Sequence, residues 1–293
     1  MYDPERVQPR PFDPDTDLPA VAELLSRTRT AGGLSHPGGI QWWLRDSGTK
    51  DDFEAFVWPV DDRLEGFALV DGSFVVIERS DAGPAELDQV DWLETHMRQS
   101  GREKIEFHVP DGDPLRRELE AKGYAQSGIE LELMADVSSE PEVPALPDGF
   151  SFASLNDVGD DAYVAGHVAA WSDIRPSRYS RALHDTVKKA PTFRSDLVTI
   201  ALAPDGTVAS CCIGWMDEKS ETLEIEPLGT HRDYRQLGLA HAVVKEVQHR
   251  AWANGAKHVL VWNNPETNPK AYGLYTGADM PPNRTLIELS KKL

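Results

Sequence analysis

Leu228-Gly229-Thr230-His231-Arg232-Asp233-Tyr234-Arg235-Gln236-Leu237-Gly238-Leu239-Ala240 joins an apolar strand, Thr222–Leu228, to a helix running to about Asn254. That helix shows Ala242, Val243, Val247 and Ala251 at helical spacing, with Gly255 placed to cap it. A strand, a loop of small residues and a helix start make an anion site on physical grounds. The first N–H groups of a helix have no internal partner, and the helix dipole adds partial positive charge there. Gly238 lets the backbone approach a phosphate, Ala240 keeps the wall small, and Arg235 adds a charge with bidentate reach. The loop is neither Gly-x-Gly-x-x-Gly nor Gly-x-x-x-x-Gly-Lys-Ser/Thr, so dinucleotide and P-loop readings lack their fingerprints. Taken alone, one glycine after a strand equally suits an ordinary strand-to-helix turn.

Outward from the loop, Val208–Trp215 reads as an apolar strand and Asp217-Glu218-Lys219-Ser220 as a turn. Downstream, Gly255–Trp262 forms a strand leading to Asn268-Pro269, a helix through Ala271, Leu274 and Tyr275, and a closing strand at Leu286–Leu289. The first half repeats this plan. Gly101–Val109 leads to Asp113-Pro114, a helix through Leu115, Leu119 and Tyr124, and a closing strand Ile129–Leu133. The two halves also open alike. Arg10-Pro11-Phe12 precedes a helix over 17–30 with Leu18, Val21, Leu24 and Leu25 on one face. Phe150-Ser151-Phe152 precedes one over 157–171 with Val164, Val168 and Trp171 on one face. Between the halves, Ser138–Gly149 carries three prolines and no apolar period, as a linker does. The expectation is a tandem of domains, 1–137 and 150–293, joined by 138–149.

Charge separates the halves. The chain carries a net charge of −19. Residues 1–146 hold 14 Lys+Arg against 31 Asp+Glu (−17), leaving 16 against 18 (−2) for 147–293. Neither offers the basic face a duplex nucleic-acid binder needs. The second half could accept an anionic cofactor; the first would repel one. An acidic surface also favours cationic partners, although solubility accounts for it equally. No apolar run of about 18 residues spans a membrane. Met1–Arg6 is charged and proline-containing, unlike a secretion signal. Cys211 and Cys212, adjacent in a strand, suit neither a disulfide nor a metal site and fit a reducing cytoplasm.

Leu228–Ala240 resembles the acyl-CoA-binding motif of the GNAT superfamily of N-acetyltransferases, Arg/Gln-x-x-Gly-x-Gly/Ala after a strand. Asn268-Pro269-Lys270-Ala271-Tyr272-Gly273-Leu274-Tyr275 resembles its second motif, Asn-x-x-Ala-x-x-Leu-Tyr. Two motifs in order are more specific than either alone. The resemblance implies an α/β (α+β) chain of two tandem GNAT-like domains, each a mixed, mostly antiparallel sheet flanked by helices, as in double-GNAT proteins of bacterial type. The N-terminal copy is degenerate: Phe74–Ile77 leads to Glu78-Arg79-Ser80-Asp81-Ala82-Gly83-Pro84, where Glu78 and Asp81 would oppose a pyrophosphate. That domain is expected to bind no CoA and to help wall the acceptor site; Tyr124 matches Tyr275 loosely but fits a core position.

By the same resemblance, backbone groups at Leu228, Gly229 and Thr230 pair with the pantetheine arm. The amides of Arg235, Gln236, Leu237, Gly238, Leu239 and Ala240 hold the pyrophosphate, and Asn268 with Ala271 flank the arm. The thioester lies where the strands part, between Leu228 and Trp262. Acetyl-CoA is the cosubstrate, a small-molecule primary amine the acceptor, and no metal is required. The implied protein is a cytoplasmic monomer or homodimer. One departure alters the geometry expected after Tyr275: the family continues Tyr-x-x-x-Gly-Phe, whereas here Thr276-Gly277-Ala278-Asp279-Met280 follows. A non-catalytic CoA-binding regulatory module is the alternative.

Transfer to an amine sets its own demands. An aliphatic ammonium of pKa near 10.4 needs about 4–5 kcal/mol to become neutral at pH 7. Glu224 and Glu226 alternate onto one face of the strand feeding the loop, so either could serve as base. Glu226 is nearer the loop and is the first choice, although a solvated acidic face reads equally well. His231 is a third candidate that also suits a surface loop. Tyr275 could protonate the departing thiolate, or fill a core. Direct attack within a ternary complex needs no covalent intermediate. The acceptor is expected to enter by Trp171–Arg181, where Arg175, Arg178 and Arg181 either read an anionic group or line a solvated loop.

Overall fold

The computed structural model describes residues 8–47, 52–174 and 177–293. Met1–Arg6, read above as unlike a signal, lies outside them. In chain order the elements are β1 (Arg10–Pro11), α1 (Leu18–Thr30), α2 (Pro37–Ser47), β2 (Phe53–Val60), β3 (Arg63–Asp71), β4 (Phe74–Arg79), α3 (Glu86–Gln99), β5 (Lys104–Pro110), α4 (Pro114–Ala121) and β6 (Ala125–Asp136). There follow β7 (Ser151–Ser154), α5 (Leu155–Val158), α6 (Asp160–Trp171), α7 (Arg181–Val187), β8 (Val198–Leu202), β9 (Val208–Asp217), β10 (Thr222–Thr230), α8 (Leu239–Ala253), β11 (His258–Asn263), α9 (Pro269–Gly277) and β12 (Pro282–Lys292). The architecture is mixed α/β, with mostly antiparallel sheet and flanking helices.

Two compact units form, and they are not assembled as the chain is written. The first comprises Met1–Pro37, Ser47–Glu132 and Asn283–Leu293; the second Gly38–Asp46 and Leu133–Pro282. The last strand of the chain therefore belongs with the first unit, and nearly all of α2 with the second. In the first unit the strands run β1-β2-β3-β4-β5-β12, followed by the start of β6. In the second, the end of β6 is followed by β11-β10-β9-β8-β7.

Local pattern explains the elements. In α1, Leu18, Val21, Leu24 and Leu25 are fully buried at helical spacing. On β5, Ile105, Phe107 and Val109 alternate inward and pack with Val90, Leu93 and Met97 of α3. β12 pairs antiparallel with β5 from Leu286↔Pro110 to Lys292↔Lys104, carrying Ile287 and Leu289 into the same core. The helix expected over 157–171 is interrupted at Gly159 (φ 77°) into α5 and α6. Its buried face is Tyr163, Gly166, His167 and Ala170, with Val164 and Val168 only partly buried. The cause is steric: a Cβ at Gly166 would lie 2.4 Å from Cβ of Val208, so the helix turns its glycine onto β9.

Two outcomes follow. Leu289→Ala, deleting a wholly buried side chain, should cost about 2–5 kcal/mol. Hydrogen exchange should quicken in α3 and β5, far upstream in the sequence, rather than in α8 and β9. The second concerns Glu94. Burial alone would raise its carboxyl pKa, but Lys291 (2.9 and 3.0 Å), the Tyr124 hydroxyl (2.9 Å) and Arg98 (2.9 Å) outweigh burial and hold it below the usual range. A lowered folded-state pKa gives stabilisation above the unfolded carboxylate range that is lost as pH falls through the folded value. Urea melts should therefore show Lys291→Met destabilising by about 1–3 kcal/mol at pH 7, and by much less near pH 2.5.

Candidate active site

β10 pairs with β9 along most of its length but with β11 only at Thr222↔His258, Leu223↔Val259 and Glu224↔Leu260. Among the described residues no β10–β11 pair follows Glu224, although both strands continue. At that point the β10–β9 register shifts between Ile225 and Leu228. Leu228, Gly229 and Thr230 stay paired with Cys212, Cys211 and Ser210 on one side. Their other edge turns toward the split, where an extended ligand can take the hydrogen bonds a neighbouring strand would make.

Beyond β10 the chain makes a short turn at Arg232–Tyr234 and reaches α8 through left-handed backbone at Gln236 (φ 66°) and Gly238 (φ 79°). A Cβ on Gly238 would meet nothing within 4 Å, so dihedral angle, not crowding, calls for glycine. Residues 235–238 are exposed, Leu237 by 46%, and Gly238 is the N-cap of α8 with no side-chain cap. The 15-residue helix thus starts at an exposed bend with its first amides lacking a side-chain cap. Arg235 is engaged elsewhere: both terminal nitrogens bond Asp173 at 2.8 Å, and the guanidinium also reaches the carbonyls of Ala170 and Thr230. It fastens the end of α6 beside the cradle.

Glu224 is only 4% exposed, and the Gly39 amide donates to its Oε2 at 2.8 Å. Glu226 is half-buried, its carbonyl accepting from the Trp215 indole at 2.5 Å. Tyr275 is buried on α9. Burial first, then the Cys212 thiol and Glu226, push its phenol pKa far above the usual value, so it keeps its proton. Cys211 and Cys212 are buried and free, and burial raises Cys211 to about 12, which makes neither a nucleophile. His231 caps the turn, accepting from the Asp233 amide at 3.2 Å. Asn268 caps α9 through the Ala271 amide at 3.4 Å. Past Tyr275, Gly277 stays helical, Asp279 takes the left-handed position (φ 60°), and Met280 fills the buried place of the expected aromatic.

A row of rings lies on the α6 side. A Cβ at Gly229 would meet the Trp171 ring at 2.3 Å; Trp171 stacks on His167 (4.5 Å), and His167 on Tyr179 (3.8 Å). Arg181 is bonded to Asp160, Asp161 and Asp185, so its charge is matched within the fold. Arg175 and Pro176, part of the expected entry segment, lie outside the described residues. The pattern of the sequence missed Trp42, Gln41 and Gly39 of α2; the pair Gly38-Gly39 masked the helix that carries them.

The first unit repeats the split without the cradle. Among the described residues, β4 and β5 pair at Phe74↔Glu106 and Val75↔Phe107 alone. A cavity of about 550 Å³ beside β4 is lined by Arg27, Glu65, Glu78, Arg79 and Gln89 among others. Glu78 is buried, which raises its pKa, and accepts from the Ser35 amide at 2.7 Å. Between Ser80 and Pro84 no glycine has positive φ. The α3 N-cap is Ala85, and the first turn carries Glu86 and Asp88. Elsewhere in that unit, ligand atoms of Glu106, His108 and Glu288 come within 4.8 Å of one another; His108 is there paired to Glu130 at 2.8 Å.

Residues 161–278 match the model of the acetyltransferase (GNAT) family. No curated protein matches the chain. Among solved structures, a GCN5-related N-acetyltransferase from Sphaerobacter thermophilus is similar at 20% identity, over 99% of this chain and 97% of that one, with TM-score 0.59. A tandem GNAT protein from the clavulanic acid biosynthesis pathway is similar at 14% identity, over 98% of each chain, with TM-score 0.66. A GCN5-related N-acetyltransferase from Kribbella flavida is similar at 14% identity, over 78% of this chain and 86% of that one, with TM-score 0.52. At these identities the likeness is one of fold.

The loop geometry makes a prediction. Forcing a side chain into left-handed backbone costs about 1–2 kcal/mol and tilts the first amides of α8. Gly238→Ala should lower stability in urea melts by about that amount, with the far-UV spectrum unchanged.

Proposed function

From a GNAT domain at residues 161–278, we propose that this protein is an acetyl-CoA-dependent N-acetyltransferase acting on a primary amine of a small molecule. The observation that carries the reading is the junction of a parallel ladder ending at Glu224↔Leu260 with an uncapped helix start behind left-handed Gly238. One element ends in a gap of backbone donors and acceptors, and the next begins with amides suited to a diphosphate. The amides of residues 235–240 hold the pyrophosphate, with Gly238 and Ala240 allowing close approach. Leu228, Gly229 and Thr230 present the strand edge that β11 leaves to the pantetheine arm, flanked by Asn268 and Ala271. The first unit, with acidic residues at its corresponding turn, binds no CoA.

The amine enters on the α6 side. Glu224 stands at the apex of the split, where the amine nitrogen meets the thioester, and takes its proton directly or through water. The freed lone pair attacks the carbonyl carbon to form the N–C bond; the C–S bond then breaks and the second proton on nitrogen passes to the leaving thiolate, giving a neutral amide and a free thiol. Glu226, first choice from the sequence, acts on Tyr275: its charge helps to hold the phenol protonated. With so high a pKa, Tyr275 donates a hydrogen bond to the departing sulfur rather than surrendering its proton outright. Positioning the two substrates supplies much of the rate.

Thiol release from acetyl-CoA across a panel of small amines tests the reading. An accelerating amine should be found, and Glu224→Gln should lower kcat by about 10²–10⁴-fold with acetyl-CoA affinity kept. Tyr275→Phe should lower kcat less, and Glu226→Gln least. A wild-type protein that binds acetyl-CoA yet is accelerated by no amine would refute the activity.

A further inference from the structure

We propose that Gly39, at the start of α2, is a positioning residue for Glu224, and that the acetyl-transfer unit is incomplete without residues 38–46. The inference rests on the role given above to Glu224. Its basis is a hydrogen bond and a missing side chain. The Gly39 amide donates to Oε2 of Glu224 at 2.8 Å. A Cβ built on Gly39 would lie 2.3 Å from that oxygen and 2.7 Å from both Cδ and Oε1. No real carbon sits so close to a carboxylate.

Backbone conformation does not call for this glycine. Gly39 is absent from the positive-φ positions, and the three atoms nearest to a Cβ built there all belong to the Glu224 carboxylate. Glycine is the weakest helix former apart from proline, so Gly38 and Gly39 in the first turn weaken α2. A sequence that breaks a local rule without a local reason points to a constraint elsewhere. Here the constraint is room for a carboxylate.

The helix is fixed well enough to impose it. Gly38–Asp46 belongs to the same compact unit as β10. Gln41, wholly buried, accepts from the amide and the hydroxyl of Thr192 at 3.2 and 3.1 Å. Trp42 packs against His167 (6.0 Å between ring centroids) and Tyr179 (5.8 Å). The Gly39 amide is thus a fixed point, and the bond it makes orients a flexible side chain at the last paired residue of the split. A base must sit within hydrogen-bond reach of the proton it takes, so a carboxylate swung aside by a methyl group loses function without unfolding anything.

A double-mutant cycle on the full-length protein decides the matter. Gly39→Ala should keep its thermal midpoint within a few degrees and its acetyl-CoA Kd within about twofold, while kcat falls at least about tenfold. In a Glu224→Ala background, adding Gly39→Ala should cost nothing further, because the residue acts only through that carboxylate. The inference is overturned if Gly39→Ala turns over normally, if the two losses multiply, or if acetyl-CoA binding falls with kcat. An inactive wild type would overturn the activity itself and this inference with it. An active wild type with an insensitive Gly39 would overturn the inference alone.

Discussion

The parallel ladder between β10 and β11 stops after three pairs, at Glu224↔Leu260, and the remaining features of the site depend on that stop. A buried strand edge without a partner is costly, since each amide and carbonyl removed from water needs a substitute. The chain meets the cost on one side only. Leu228, Gly229 and Thr230 keep β9 as a neighbour, across a register shift that opens the other edge. The same divergence delivers the chain to the start of α8, so the gap and the helix amides come as a pair. A carboxylate at the apex is then held where both arms meet.

How the two units are assembled follows from a different demand, that every sheet be closed by enough strands to bury its face. The first unit takes its closing strand from the end of the chain: β12 lies along β5 over seven register pairs and drives Ile287 and Leu289 into the core beneath α3. β6 contributes residues up to Glu132 to that unit and from Leu133 to the other. Neither unit is therefore a contiguous stretch, although each reads as one along the sequence. Non-local pairing of this kind folds more slowly than local pairing, because a long loop must be closed before the contact repays it.

Much of this was legible in the amino-acid order. Leu18, Val21, Leu24 and Leu25 repeat with a helical period too regular to be missed, and β5 alternates strictly. Gly238 and Gly255 mark the two ends of α8, and both are left-handed. Period alone failed where a single close approach overrode it. Gly166 turned α6 so that Tyr163 and His167 faced the core in place of Val164 and Val168. The closing strands were found, but pairing partners far apart in sequence leave no local signal. Helix α2 stayed hidden because Gly38-Gly39 reads as a loop until the carboxylate above it is seen.

The two copies of the fold show which part of the site belongs to topology and which to composition. Both units split a parallel pair early, after Val75↔Phe107 in one and Glu224↔Leu260 in the other. The split is thus inherited with the strand order. The cradle is not. At the second copy the bend uses left-handed Gln236 and Gly238 and carries no acid between 235 and 241. At the first, Asp81 stands in the bend, Glu86 and Asp88 occupy the first helical turn, and Gly83 is pressed against the Glu65 carbonyl, where a Cβ would lie 2.0 Å away. Acids at a helix start satisfy its dipole from within the chain. A helix start so satisfied is a poorer anion site than one left bare; the difference lies in a handful of side chains on an otherwise common frame.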